Sequence, residues 1–359
     1  MGKKSVNNLY KPMLEHSNVE QKFHKAAKGK TERPDVAVIL EPTNIQRHVK
    51  NVVEQLENTA PEGYDVPHPE KAWKPSRHGK VCINEGTSRK VRMIEKPRYN
   101  YEQVIHHIVV SACYDIFMKG MYEFSCGSVP NRGAHYGKKY IERWIQRDKK
   151  NCKYVLKMDI RHFFESVDHD VLKAWLKKKI RDERMLHILE LIIDGSEVGL
   201  PLGFYTSQWL SNFMLQPLDH FIKEQLKAVH YIRYMDDMVV FGKTKRNSTG
   251  CSRRLRDSER KVQLADERKL AGVPVRLHRE KDRKEKRETT RFHGIPVLSR
   301  QDDSAGKHHV ELHTESQPCR KERENHMVRC DRNSVIHGLL EQYRHIRHVP
   351  AKGQALCEC

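Results

Sequence analysis

Three carboxylates stand out by type and spacing. Asp159 ends the short apolar run Tyr154-Val155-Leu156-Lys157-Met158, and the adjacent pair Asp236-Asp237 lies between Tyr231-Ile232-Arg233-Tyr234 and Met238-Val239-Val240-Phe241. The second stretch reads as a strand, an acidic tip and a second strand. Nucleotidyl transfer needs two divalent ions about 3.5–4 Å apart, one lowering the pKa of an attacking 3′-hydroxyl and one clamping a triphosphate and its leaving group. Such hard ions take oxygen ligands. A pair of acids at a hairpin tip, with a third ending a neighbouring strand, is a compact way to place those oxygens. Taken alone, Asp-Asp at a tip is equally an ordinary turn, because Asp favours turn positions.

The rest of the composition bounds what such a site could serve. A chain of 359 residues, 32% charged and 37% hydrophobic, has room for one large or two modest cores. Its formal charge of +20 comes from 67 Lys and Arg against 47 Asp and Glu. That excess opposes compactness unless a polyanion sits against it, which makes nucleic acid the obvious partner and a merely soluble basic surface the alternative. No stretch approaches the roughly 18 uninterrupted apolar residues of a spanning helix, and Met1-Gly2-Lys3-Lys4 has no apolar segment behind it. We therefore expect a cytoplasmic chain with no membrane partner. Nine cysteines, an odd number with no repeated C-x-x-C spacing, read as free thiols in a reducing compartment. The Cys- and His-containing tail His313 to Cys359 lacks paired zinc-ligand spacing.

The first 35 residues are basic and poor in large apolar side chains, so no core is expected to start there. Val36 to Glu57 has helical spacing (Ile45, Val49, Val52, Val53, Leu56), and a Pro-, Gly- and His-rich loop follows from Pro61 to Gly79. Lys80 to Pro97 alternates through Val81, Ile83, Val91, Met93 and Ile94, the pattern of a β-hairpin with a basic exposed face. Helices are expected over Glu102–Met118 and Gly137–Asp148, the latter opened by the loop Ser125 to Gly133, and then a strand over 154–159. Further helices are expected from about Asp168, through Met185 to Ile193, from Ser207 to Leu226, from Ser252 to Leu270 and from Asn333 to Arg347, with strands at Val273–Leu277 and Arg291–Leu298. Arg300 to Arg332 shows poor apolar periodicity.

The tetrapeptide Tyr234-Met235-Asp236-Asp237 resembles the active-site hairpin of reverse transcriptases, and further blocks similar to that family occur in its order. They are Val91-Arg92-Met93-Ile94-Glu95-Lys96-Pro97; Ser125-Cys126-Gly127 through Arg132-Gly133; Lys157-Met158-Asp159-Ile160 with Phe163-Phe164; Leu200-Pro201-Leu202-Gly203 through Ser207-Gln208; Leu277 with Glu280-Lys281; and Phe292-His293-Gly294-Ile295. The resemblance implies an α+β right-hand polymerase with fingers, a palm of antiparallel sheet plus helices, and a small thumb. It implies a basic N-terminal segment 1–35, N-terminal helices and fingers 36–153, a palm 154–299 with fingers helices inserted at about 170–200, and a basic thumb-like region 300–359.

Site roles follow from the same resemblance. Asp159, Asp236 and Asp237 would be catalytic and, with Ile160, hold two Mg2+ ions, with Mn2+ able to substitute. Arg92, Lys96, Ile160, Phe164, Leu202, Gly203 and Lys281 would contact the incoming nucleotide, Arg92 and Lys96 by stabilising the triphosphate as charge develops. A solvated hairpin face is the plainer account of that Arg and Lys. Phe164 stands at the family's steric gate against a ribose 2′-OH, whereas Phe163 reads as core packing. Arg132, Ser207, Gln208, Tyr234, Met235, Phe292 and Gly294 would contact template and primer.

Leu202-Gly203-Phe204-Tyr205-Thr206-Ser207-Gln208 departs from the commonest pattern, which has Gln before the Gly and Ser-Pro after it. An apolar residue, Gly, three residues and Ser-Gln is similar to the reverse transcriptases of diversity-generating retroelements. Asn8-Leu9-Tyr10, Lys25-Ala26 through Lys28-Gly29-Lys30, and Arg33-Pro34 look like the start of that group. The subgroup implies a prokaryotic or phage-encoded enzyme that copies a template RNA into cDNA from dNTPs, with frequent errors opposite adenine, beside a small basic accessory variability protein. Group II intron-like and defence-associated reverse transcriptases are the alternative enzymes. A retron enzyme fits less well because no Val-Thr-Gly occurs late in the palm. From another class, a noncatalytic RNA-binding scaffold would keep the shape without the chemistry.

Overall fold

A computed structural model describes residues 5–76, 79–84, 91–160 and 162–244, together with the backbone of 290–292, 295–297 and 327–329. Lys281, Gly294, the helices expected over Ser252–Leu270 and Asn333–Arg347 and the strand over Val273–Leu277 lie outside the described residues. In chain order come α1 (Tyr10–Met13), α2 (His16–Ala27), α3 (Pro34–Leu40), α4 (Pro42–Glu57), β1 (Gly79–Asn84), β2 (Val91–Lys96), α5 (Val104–Ala112), α6 (Tyr114–Lys119), α7 (Ala134–Arg147) and β3 (Tyr154–Met158). Then come α8 (His169–Lys177), α9 (Glu183–Asp194), α10 (Tyr205–His220), β4 (His230–Tyr234), β5 (Asp237–Gly242), β6 (Thr290–Phe292), β7 (Ile295–Val297) and β8 (Met327–Arg329). The α+β class expected from the sequence is what forms, and every pairing between these strands is antiparallel. No helix among the described residues is long and apolar enough to cross a membrane.

The chain divides into two compact units. The first comprises Met1–Glu123, His162–His220 and Lys261–Pro274. Its core corrects one expectation, because the basic N-terminal segment contributes to it: Tyr10, Met13, Val19, Phe23, Ala26 and Ala27 are buried. In α2 these fall at i, i+4, i+7 and i+8, one helical stripe, and α2 packs on α4 and α5. Two of the four are Ala, so charge and small size hid the stripe. The segment before it is fastened by Asp182, whose one carboxylate oxygen accepts the N–H groups of Leu9 and Tyr10 while the other caps α9 through Met185 N–H.

Three helices expected to be continuous are interrupted. The first divides into α3 and α4 at Glu41-Pro42, where Pro opens α4 and Glu41 is extended, as a residue before proline prefers. The next divides into α5 and α6 at Cys113. The third ends as α10 at His220 and widens into a π-helical turn over Phe221–Gln225.

The hairpin β1–β2 is where it was expected, but its register pairs Val81 with Ile94, Cys82 with Met93, Ile83 with Arg92 and Asn84 with Val91. Residues directly opposite share a face. The apolar side chains are therefore split between both faces, and Val81, Ile83, Val91 and Met93 are all exposed.

The second unit comprises Phe124–Arg161, Phe221–Arg260 and Val275–Cys359. It is built on a four-stranded sheet in the order β4-β5-β3-β8. The region expected to be thumb-like thus contributes a strand, Met327–Arg329, to the edge beside β3. Helix α7 lays Ile141 and Ile145 against Val155, Ile232, Val239 and Phe241, with Cys126 and Cys152 closing the cluster. Strand β5 is buried from Met238 to Gly242.

Candidate active site

In the second unit, β4 and β5 pair Tyr234 with Asp237, leaving Met235 and Asp236 as a two-residue turn. Strand β3 pairs Met158 with Met238, and one further step of that register sets Asp159 opposite Asp237. The alternation of strand side chains puts Lys157, Asp159 and Asp237 on the face that carries Val155, Val239 and Phe241. All three acids thus come to one end of the sheet. Asp159, Asp236 and Asp237 are half-buried.

The turn is held from beneath. Met235 has φ +52°, a left-handed conformation that costs a non-glycine residue about 1–3 kcal/mol. Positive φ at the first of two central residues is the arrangement of type II′ turns, where Gly is the usual occupant. Gly127 lies against it: a Cβ built there would sit 2.6 Å from Met235 Cγ and 2.7 Å from Met235 N. The segment carrying Gly127 is laid along β4 by Cys126 N–H donating to Arg233 O at 2.7 Å and Arg233 N–H donating to Phe124 O at 3.0 Å. Arg233 itself is wholly buried. Its Nη1 donates to Met235 O at 2.9 Å and its Nη2 to Ser125 Oγ at 2.8 Å. Tyr234 packs at the edge of the apolar cluster, and burial pushes its hydroxyl pKa up.

Divalent cations of the kind the sequence implies would need these acids as ligands. The donor chemistry fits, since carboxylate oxygens from the ends of β3 and β5 and from the β4–β5 turn are the kind of ligand Mg2+ takes. The side chains are not gathered on one point: among the described residues no three His, Cys, Asp or Glu side chains converge on a metal position. Instead Lys157 Nζ stands 3.1 Å from Asp237 Oδ1, a cation already at one of the three acids. Ile160, expected beside the metals, has a buried side chain, so only its backbone could face them. Arg132 sits in the loop before α7, its N–H donating to Val129 O.

Of the residues expected to meet the nucleotide, Arg92, Lys96, Phe164, Leu202 and Gly203 are in the first unit. Arg92 and Lys96, four apart on β2, share one face of the hairpin and are exposed. On the outer edge of β2, Glu95 N–H donates to Leu202 O at 2.8 Å. Gly203 makes that approach available: its φ is +109°, and a Cβ there would fall 2.4 Å from Glu95 O and 2.6 Å from Ile94 Cγ2. A similar lock holds Phe164. Leu200 N–H donates to Phe164 O at 2.7 Å, and Gly199, at φ +61°, leaves no room for a Cβ beside that carbonyl. Phe163 is buried while Phe164 is half-buried, their rings 5.4 Å apart. On α10, Ser207 is buried and Gln208 exposed. Phe292 lies in β6 by its backbone.

Residues 80–295 match the family described as reverse transcriptase (RNA-dependent DNA polymerase). The chain belongs to that family. Curated reverse transcriptase relatives include the retron Ec73 reverse transcriptase of Escherichia coli, 31% identical over 109 residues, which are 27% of this chain and 34% of the relative. An uncharacterized 91 kDa protein in the cob intron of Schizosaccharomyces pombe is 32% identical over 145 residues, 38% of this chain and 17% of that protein. The matches thus span 34% and 17% of those relatives' length. Among solved structures, telomerase from Candida albicans, in complex with a fragment of telomeric RNA, is 11% identical with a TM-score of 0.41, covering 66% of this chain and 47% of that one.

Several residues of the site were not singled out from the sequence. Arg233 carried a signal, a charged residue inside the apolar run Tyr-Ile-Arg-Tyr, which a strand with both faces covered can keep only if it is bonded. Lys157 carried one too, two residues before Asp159 and so on its face. Gly199 had none beyond being glycine.

Proposed function

We propose that this chain is an RNA-directed DNA polymerase that makes error-prone cDNA from a template RNA, of the diversity-generating type. The observation that supports the chemistry best is the register that sets Asp159 opposite Asp237 with Asp236 in the adjoining turn, at one end of a buried sheet. When bound, two divalent ions would lower the pKa of the primer hydroxyl and offset charge on the triphosphate. The chain's own part is to present the acids on a fixed turn and to offer Arg92 and Lys96, on one face of a hairpin, to phosphate oxygens. Phe164 is the proposed gate against ribose, and template RNA the proposed partner, in keeping with the charge of +20. Docking of a basic accessory protein belongs to the same proposal.

The error-prone reading rests on Leu202. Its carbonyl is engaged by Glu95 and its side chain offers no hydrogen bond where the commonest pattern has a carboxamide. A lost polar contact of that kind is worth about 1–3 kcal/mol, or roughly a 5- to 150-fold loss of discrimination. We expect Leu202→Gln to lower misincorporation opposite template adenine without abolishing synthesis, as read from cDNA sequenced from both proteins on one RNA. Equal error spectra at equal turnover would remove Leu202 as a determinant of accuracy. The similarity to a retron reverse transcriptase and to a protein in an intron supports a second reading, a reverse transcriptase outside the diversity-generating group. Wild-type cDNA without adenine-directed errors would decide for it.

A further inference from the structure

We propose that Arg233 is the positioning residue of the catalytic turn, acting through Met235 on where Asp236 and Asp237 present their oxygens. The inference rests on the polymerase reading of those two acids. The carbonyl that Arg233 grips, at 2.9 Å, belongs to the peptide joining Met235 to Asp236. Because a peptide is planar, fixing that oxygen fixes the orientation of the whole link into Asp236. The same guanidinium reaches Ser125 Oγ at 2.8 Å, so the turn is referenced to the segment whose Gly127 lies against Met235. Arg233 and Ser125 are both wholly buried, so neither bond competes with water. A planar fork with several donors can satisfy two acceptors at fixed angles, which a lysine ammonium on a flexible stem cannot. The left-handed Met235 supplies the reason for the device, since a non-glycine residue at φ +52° persists only where its surroundings over-determine it. A misplacement of about 1 Å in a catalytic group is enough to cost roughly 10²-fold in rate.

The test uses the full chain as wild type, Arg233→Lys and Ser125→Ala. Turnover and nucleotide KM are measured on a primed RNA, and Mn2+ binding is measured separately by electron paramagnetic resonance without nucleic acid. Thermal melting and RNA affinity report on fold. The proposal expects Arg233→Lys to lower kcat by about 10²-fold, and Ser125→Ala by less, with KM little changed. Mn2+ affinity of the folded variants should weaken in the same order. A merely structural role would lower the melting temperature and leave Mn2+ affinity and kcat of the folded protein alone, and that result overturns the proposal. Should Arg233→Lys fail to fold, Ser125→Ala decides, because it keeps the guanidinium and removes only its anchor: wild-type kcat and Mn2+ affinity there would also overturn it. If the wild type extends no primer, the polymerase reading fails instead, while the Mn2+ comparison still reports on Arg233.

Discussion

The hairpins β4–β5 and β1–β2 are both antiparallel ribbons that carry candidate functional residues, yet they are built in opposite ways. In β4–β5 the strands are enclosed on both faces, with Tyr231, Ile232, Arg233 and Met238 at 0% exposure. In β1–β2, Val91 is 62% and Met93 49% exposed. A two-stranded hairpin alone is marginal in water, and the second one leans on the loop at Leu202 and Gly203. The difference fits what each presents. On the proposed roles, carboxylates that share cations repel one another and need a frame that cannot relax, whereas Arg92 and Lys96, offered to a triphosphate, can sit on an exposed ribbon.

The largest effect should come from the enclosed hairpin. Asp236→Asn or Asp237→Asn removes a ligand charge with almost no change of volume, and we expect DNA synthesis to fall by about 10³-fold or more with RNA binding largely intact. Both activities would be measured on one preparation. Near-normal extension by either variant would break the contrast, because an acid that can be lost does not need a rigid frame.

The exposed hairpin should respond through its tether. Gly203→Ala introduces a Cβ against Glu95 O at a positive φ, and strain of this kind costs about 1–3 kcal/mol. We expect a lower melting temperature and a raised nucleotide KM. Gly29→Ala, also at positive φ but facing open space, should leave KM unchanged. Equal KM effects would mean that the tether has no part in nucleotide binding.

How much of this was legible follows the same divide. The β4–β5 strands and their acidic tip could be read because two apolar runs flank a turn in one short window, and β3 because its apolar run ends in an acid. The β1–β2 strands were equally visible, but which side chains share a face depends on register, and register put the apolar residues on opposite faces. The core stripe of α2 was masked by its lysines, and the separation of α3 from α4 needed only Pro42 to be weighed above the apolar spacing. Arg233 and Lys157 left a local trace as charges within apolar runs, but their partners Ser125 and Asp237, like that of Gly199, lie far off in the sequence, and no local pattern displays those.

The smallest effect concerns the scaffold behind the tether. His107 stacks on Tyr205 at 4.0 Å, three residues beyond Leu202. Burial, joined by Lys25, Lys30 and Lys22, pulls its pKa down to about 4. The unfolded chain therefore takes up a proton near pH 6.5 that the folded chain refuses. Stability from this group is fully present above about pH 6.5 and is lost as pH falls towards 4, by at most about 3 kcal/mol. His107→Phe should flatten the stability profile between pH 6.5 and 4 in denaturant titrations. An unchanged slope would assign the acid sensitivity elsewhere.

The central claim is that the acids at the end of the β3–β5 sheet make DNA on RNA. It is tested most directly by extending a DNA primer on an RNA template with dNTPs and Mg2+, using wild type and Asp159→Asn side by side. The account predicts RNA-templated cDNA from the wild type and none above background from the variant. No cDNA from a folded, RNA-binding wild type, or equal cDNA from both, would contradict it.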